Sequence, residues 1–188
     1  GKYKNRQKST GERKYYRFFK PENKAFPDQL ELFARKPDVL DLANDTQLAP
    51  IPTDEDLSSL SAVLMDDDYY YFTRENSKVE DNLHFADTAA LVCLKAKAFL
   101  DLSERKIKGE IIDERNIRKH KNDIVRLAVL LTGENSQKLP DSIVPDMQNF
   151  IKLLDSETPD YRAIGKSMGI PALNGKEILD QIMHAFSL

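Results

Sequence analysis

"LKAKAFLDLSERKIKGEIIDERNIRKHKNDIVRLAVLL" (94–131) holds two helical periods broken by one glycine. Wound at 100° per residue, the first places Leu91, Leu94, Ala98 and Leu102 on one stripe, with Phe99 beside it. Asp87 or Thr88 serves as N-cap and Gly109 as stop, so the spacing predicts a helix over 88–108. The second period places Ile117, Ile124, Leu127, Ala128 and Leu131 on one face. Asp113 caps it and Gly133 stops it, which predicts a helix over 113–132.

Lys95 interrupts the first stripe, next to Leu91, Phe99 and Leu102. Two readings stand for an amine placed there. It snorkels to water along its own aliphatic stem, or it meets a phosphate or carboxylate on the wall of a cleft. The other cations of this helix have ordinary explanations. Lys97 stands four residues before Asp101, a surface pair worth about 0.3–0.5 kcal/mol. Arg105 and Lys106 sit at the helix C-terminus, where the dipole favours positive charge. On the second helix, Lys119 and Asp123 form an i, i+4 pair on the flank, and Asn122 and Arg126 face away from the core. His120 falls among Ile117, Ile124 and Leu127, as a satisfied core histidine or as a ligand.

Helical signals continue to the C-terminus. "DSIVPDMQNFIKLLD" (141–155) puts Ile143, Met147, Phe150, Ile151 and Leu154 at helical spacing, with Pro145 tolerable in the first turn. Thr158-Pro159 opens a short helix. Asn174 and Glu177 read as a capping box for a last helix burying Ile178, Ile182, Met183 and Phe186. A helix-turn-helix over 161–182 fits Ala163 and Gly169, although its reading helix carries Lys176 as its one basic residue.

Before residue 87 the period changes. "KYYRFFK" (14–20) is aromatic and β-prone, "PENKAFPD" (21–28) is a loop, and "QLELFAR" (29–35) alternates, so a hairpin joins the two runs. "DTQLAPIPTDED" (45–56) reads as an edge strand and loop, and "LSSLSAVLM" (57–65) as a short helix or a buried strand. "DYYYFTRENSKVEDNLHFA" (68–86) reads as a second hairpin turning near Asn76-Ser77. The fold class is therefore α+β, with a sheet-rich part over 1–86 and a helical part over 87–188.

Composition narrows the function classes. Of 188 residues, 40% are hydrophobic and 31% charged, with a net charge of −3, which gives no global case for nucleic acid. The charge is uneven, because residues 1–20 hold eight cations against Glu12 alone. Lys4, Arg6, Lys8, Arg13, Lys14 and Arg17 form a basic arm suited to phosphate, or a solvated edge that blocks aggregation. The lone Cys93 lies in an apolar run, which excludes an internal disulfide and fits a cytoplasmic protein. No run of about 18 apolar residues indicates a membrane span.

Two acidic features bear on chemistry. Asp66 and Asp68 in "MDDDYYY" (65–71) would share a face on a strand and hold Mg²⁺, or they start a turn. Glu31, mid-strand between Leu30 and Leu32, shares a face with Phe33 and Arg35. A carboxylate there takes Arg35 or a metal as partner, or faces solvent. No GxxxxGK[ST] or GxGxxG occurs.

The run 94–131 resembles the region after the catalytic core in bacterial nucleotidyltransferase-like proteins of the AbiEii/AbiGii toxin type, with Lys95, Lys97 and Asp101 matching a lysine-bearing helix and Lys119, His120 and Asp123 a following basic helix. Residues 15–38 and 58–72 are similar to the middle of the same proteins. The resemblance implies a partial nucleotidyltransferase-like mixed or antiparallel sheet followed by a helical bundle. It implies metal-dependent transfer of a nucleotidyl group from an NTP to an acceptor, with Mg²⁺ held by carboxylates. It makes Glu31 the candidate third carboxylate and metal ligand, and Lys95, Arg35, Lys119 and His120 the candidates for nucleotide phosphate. The family's Gly-Gly or Gly-Ser turn and following Asp-x-Asp do not stand in this sequence. The expectation is a C-terminal two-thirds that lacks the catalytic segment, is inactive alone and holds neither Mg²⁺ nor NTP tightly. The alternative is a non-catalytic module that binds nucleic acid through the basic N-terminal face, or a partner protein.

Overall fold

A computed structural model describes residues 2–7, 13–31, 66–81, 83–131 and 136–188. Arg35, Lys8 and the segments 45–56 and 57–65 lie outside the described residues, as does Gly133.

Around "PENKAFPD" the predicted hairpin forms. Strand β2 (Arg13–Phe19) pairs antiparallel with β3 (Gln29–Glu31), Phe18 opposite Leu30. Lys20 takes a positive φ of 52° to leave β2, and its N–H donates to the Asp28 carbonyl across the loop. The basic arm is itself a strand, β1 (Lys4–Gln7), on the other side of β2. Its register shifts between Asn5 and Arg6, so Lys4 lies opposite Phe19 while Arg6 lies opposite Lys14. The Tyr3 hydroxyl donates to the Pro27 carbonyl and ties the arm to the loop.

The aromatic run corrects the expected second hairpin. Residues Asp67–Glu75 are a helix, α1, not a strand. Asp66 caps it, accepting from the N–H groups of Asp68 and Tyr69. Tyr69 and Phe72, three apart, are both buried, so helical spacing and a cap outweigh the β propensity of three tyrosines. The hairpin comes later, as β4 (Ser77–Glu80) against β5 (Leu83–Ala86), with Asp81 at a positive φ of 49° in the turn.

Five helices follow: α2 (Thr88–Ile107), α3 (Glu114–Ala128), α4 (Ile143–Ser156), α5 (Tyr161–Met168) and α6 (Gly175–Phe186). Asp87 caps α2 through the Ala90 N–H, and Gly109 follows its end at a φ of 91°. Helix α3 starts at its predicted cap, Asp113, but ends at Ala128, where Leu130 and Leu131 turn back on Leu127 and Ala128. The expected proline start of α5 is also corrected. Its cap is Asp160, one residue past Pro159, which accepts the Ala163 N–H. Asn174 caps α6 through the Lys176 N–H, and its side-chain amide also donates to Glu177.

Helix α2 is the centre of the body. Ala90, Val92, Cys93, Ala96, Ala98 and Leu102 have no measurable exposure. Alanines on several faces let α3 and α4 approach closely. Phe99 of α2 meets Phe150 of α4 edge to face at 5.5 Å, an arrangement worth about 1 kcal/mol beyond burial. Tyr69 and Phe72 of α1 belong to the same core as α2 to α6. The class is α+β, and no helix among the described residues is long and apolar enough to cross a membrane.

Candidate functional site

Lys95 leaves the buried stripe of α2 where α3 runs alongside. Its amine donates to Asp123 Oδ2 at 2.8 Å, and each side chain keeps about a quarter of its exposure. The snorkelling reading is thus replaced by a carboxylate partner on the neighbouring helix. The expected Lys119–Asp123 pair gives way too, since Asp123 turns its other oxygen to Arg126 at 3.2 Å. Asp123 therefore bridges two cations, one from each helix.

His120 stands one turn before Asp123. Its Nδ1 is enclosed and has no hydrogen-bond partner. Burial lowers its pKa to about 4, the Lys95 amine adds to that, and Asp123 opposes it. The ring is therefore neutral at neutral pH, with an uncommitted nitrogen next to a lysine–aspartate pair. The satisfied core histidine is corrected, because an enclosed polar atom without a partner is uncommon and costs about 1–3 kcal/mol. Lys119 is exposed. Lys95, His120, Asp123 and Arg126 thus form one half-buried cluster on the α2–α3 seam. Its two cations are groups suited to holding a phosphate.

The other flank of α2 is built differently. Lys97 pairs not with Asp101 but with Asp146 of α4, at 2.8 Å. The buried Tyr69 of α1 donates its hydroxyl to the same Asp146 oxygen at 2.9 Å, and the Lys97 amine lies 5.8 Å from the Tyr69 ring centre. Burial and the Asp146 charge hold the Tyr69 hydroxyl well above the ordinary tyrosine range. Three elements are joined there through one Asp146 oxygen. A groove of about 320 Å³ beside it is lined by Lys97, Asp101, Glu104, Ile107 and Asp146 among others. Lys121 of α3 closes the far end of the body. Its amine bonds the carbonyl and carboxylate of Glu157, at the C-terminus of α4, and sits 5.7 Å from the Phe99 ring. That is the favoured place for a cation at a helix end.

The strand candidates are placed by backbone. Glu31 ends β3 opposite Arg17. Arg6 lies opposite Lys14, and Gln7 opposite Arg13, across β1 and β2; Lys4 is exposed. The Asp66–Asp68 pair is not a metal pair, because the Asp66 carboxylate caps α1 and Asp68 accepts from the Ser142 hydroxyl. Among the described residues no three His, Cys, Asp or Glu side chains gather as a metal site. Cys93 is fully buried, and burial pushes its thiol up, so it is an inert core residue.

Sequence reading singled out Lys95 and His120 but missed Asp123 and Asp146 as the partners that matter. Both acids lie on the α2-facing flank of their own helices, 28 and 49 residues from the lysines they bind. Spacing along one helix finds neighbours on that helix only. In a search of family models, of characterised proteins and of solved structures, nothing matches this chain.

Proposed function

We propose that this chain is part of a nucleotidyltransferase-like protein of the AbiEii/AbiGii toxin type, and that the α2–α3 seam is its nucleotide-phosphate site. The observation that carries the reading is the 2.8 Å contact between Lys95 and Asp123. It joins the two stretches, "LKAKAFLDL" and "RKHKNDIV", on which the resemblance rests. In this reading Lys95 and Arg126 bind phosphate oxygens, Asp123 holds both cations in place, and neutral His120 lines the site. Glu31 is the third carboxylate. In this reading the chain binds an NTP at the seam and carries out no transfer alone.

Calorimetric titration with Mg²⁺ and each of the four NTPs at low salt tests this. Binding by at least one NTP is expected, weakened about tenfold or more in Lys95→Gln, since a charge-assisted hydrogen bond is worth about 1.5–3 kcal/mol. Absence of binding at about 1 mM NTP, an affinity near −4 kcal/mol, overturns it.

A second reading has its own observation. Arg6 lies opposite Lys14 in the β1–β2 register, so Lys4, Arg6, Arg13, Lys14 and Arg17 are gathered on two neighbouring strands. The basic face then binds nucleic acid, and its affinity falls steeply with salt. A Lys14→Glu variant with unchanged affinity for a single-stranded oligonucleotide removes that reading.

A further inference from the structure

Among the described residues the hairpin β4–β5 is a two-stranded sheet, each strand four residues long. Such a hairpin is marginal in water, and an open edge is a template for another strand. Lys78, Val79 and Glu80 are all exposed, as are Leu83, His84 and Phe85 of β5. Val79 and Leu83 each keep 59% of their surface and Phe85 41%, more apolar exposure than a four-residue hairpin needs.

The β4 edge is complementary to itself. Glu80 pairs with Leu83 across the two residues of the turn, and the pair that closes a two-residue turn is hydrogen-bonded. Bonded and non-bonded pairs alternate in an antiparallel ladder, so the Val79–His84 pair is non-bonded and the Val79 N–H and C=O point away from β5. Val79 therefore offers one donor and one acceptor to a strand laid antiparallel outside β4. If that strand is a second β4, a two-fold axis at Val79 lets the two valines exchange both hydrogen bonds. Lys78 then falls opposite Glu80 of the second copy, and Glu80 opposite its Lys78. These are non-bonded positions, where side chains approach most closely.

We propose that β4 pairs with β4 of a second copy of this chain, making a continuous four-stranded antiparallel sheet across a two-fold axis. One face carries the row His84, Val79, Val79, His84. The other carries two rows of Phe85, Lys78, Glu80 and Leu83, in which the lysine stem covers its neighbouring phenylalanine. The interface is isologous, and its small area makes the dimer weak and concentration-dependent. This inference does not depend on the nucleotide reading.

Sedimentation equilibrium over a wide concentration range tests it, with far-UV circular dichroism and melting as fold controls. A monomer–dimer equilibrium is expected for the wild type. Lys78→Glu turns both cross-strand attractions into repulsions and weakens the dimer about tenfold or more. Glu80→Lys acts alike, and the double variant K78E/E80K restores the wild-type constant. The idea is overturned by a monomer up to about 0.5 mM, by a dimer indifferent to Lys78→Glu, or by a double variant no tighter than the singles.

Discussion

Lys95 and Lys97 stand two residues apart on α2 and leave it on opposite flanks, each bound to an aspartate of a different helix at 2.8 Å. On the flank of Lys97, one Asp146 oxygen takes a tyrosine hydroxyl and an amine, beside a groove. The flank of Lys95 is built otherwise. Its aspartate holds two cations, and the histidine beside it has an enclosed nitrogen without a partner. Identical pairs by distance thus differ in what surrounds them. Hydrogen bonds offset the burial of the first set of groups, whereas an enclosed atom without a partner is maintained at a cost to stability.

The largest expected effect comes from pH on the Lys95 side. His120 has a folded pKa near 4 against about 6.5 unfolded, so the unfolded chain takes up the proton first. Stability is full above about pH 6.5 and is lost as pH falls toward 4, by up to about 3 kcal/mol. About 2 kcal/mol of that falls between pH 7 and 5, above the range where most carboxylates titrate. Urea unfolding at pH 7 and pH 5 reads it. His120→Gln should flatten the difference, and an unchanged slope would show that the ring is not buried neutral.

Next in size is Asp146→Ala, which strands the Tyr69 hydroxyl and the Lys97 amine together in a half-buried site. A loss of about 2 kcal/mol in unfolding free energy is expected. Tyr69→Phe alone should cost about 1 kcal/mol, because it removes the donor with the bond. If both substitutions cost the same, the network is not cooperative and the Lys97 flank is an ordinary surface.

The smallest effect sharpens the contrast most. Lys97→Met and Lys95→Met should each move stability by no more than about 1 kcal/mol, since a methionine packs where the aliphatic stem did. Only Lys95→Met should abolish NTP-dependent thermal stabilisation of the protein. Equal loss in both variants would assign the nucleotide to neither flank.

Much of this layout is legible in the sequence, for local reasons. Asp87, Asp113 and Asn174 cap their helices because a short polar side chain before an apolar period can satisfy the first free N–H groups. The β2–β3 hairpin follows from a loop composition between two β-prone runs. The aromatic run 68–72 is misread because local propensity and helical period disagree there, and burial of Tyr69 and Phe72 against α2 to α6 decides for the helix. The oddness of Lys95 is equally legible, being an amine in an apolar stripe.

What the sequence by itself determined is therefore helices α2, α3, α4 and α6 with their apolar faces, the caps Asp87, Asp113 and Asn174, and the one lysine out of pattern. The partners of that lysine, and the difference between its flank and that of Lys97, were decided by tertiary structure. Helical spacing governs contacts within about four residues, while Asp123 and Asp146 reach α2 only because α3 and α4 pack against its alanine-rich surface. Whether a buried polar atom is satisfied depends on every element around it, so the free nitrogen of His120 could be found only after the chain had folded.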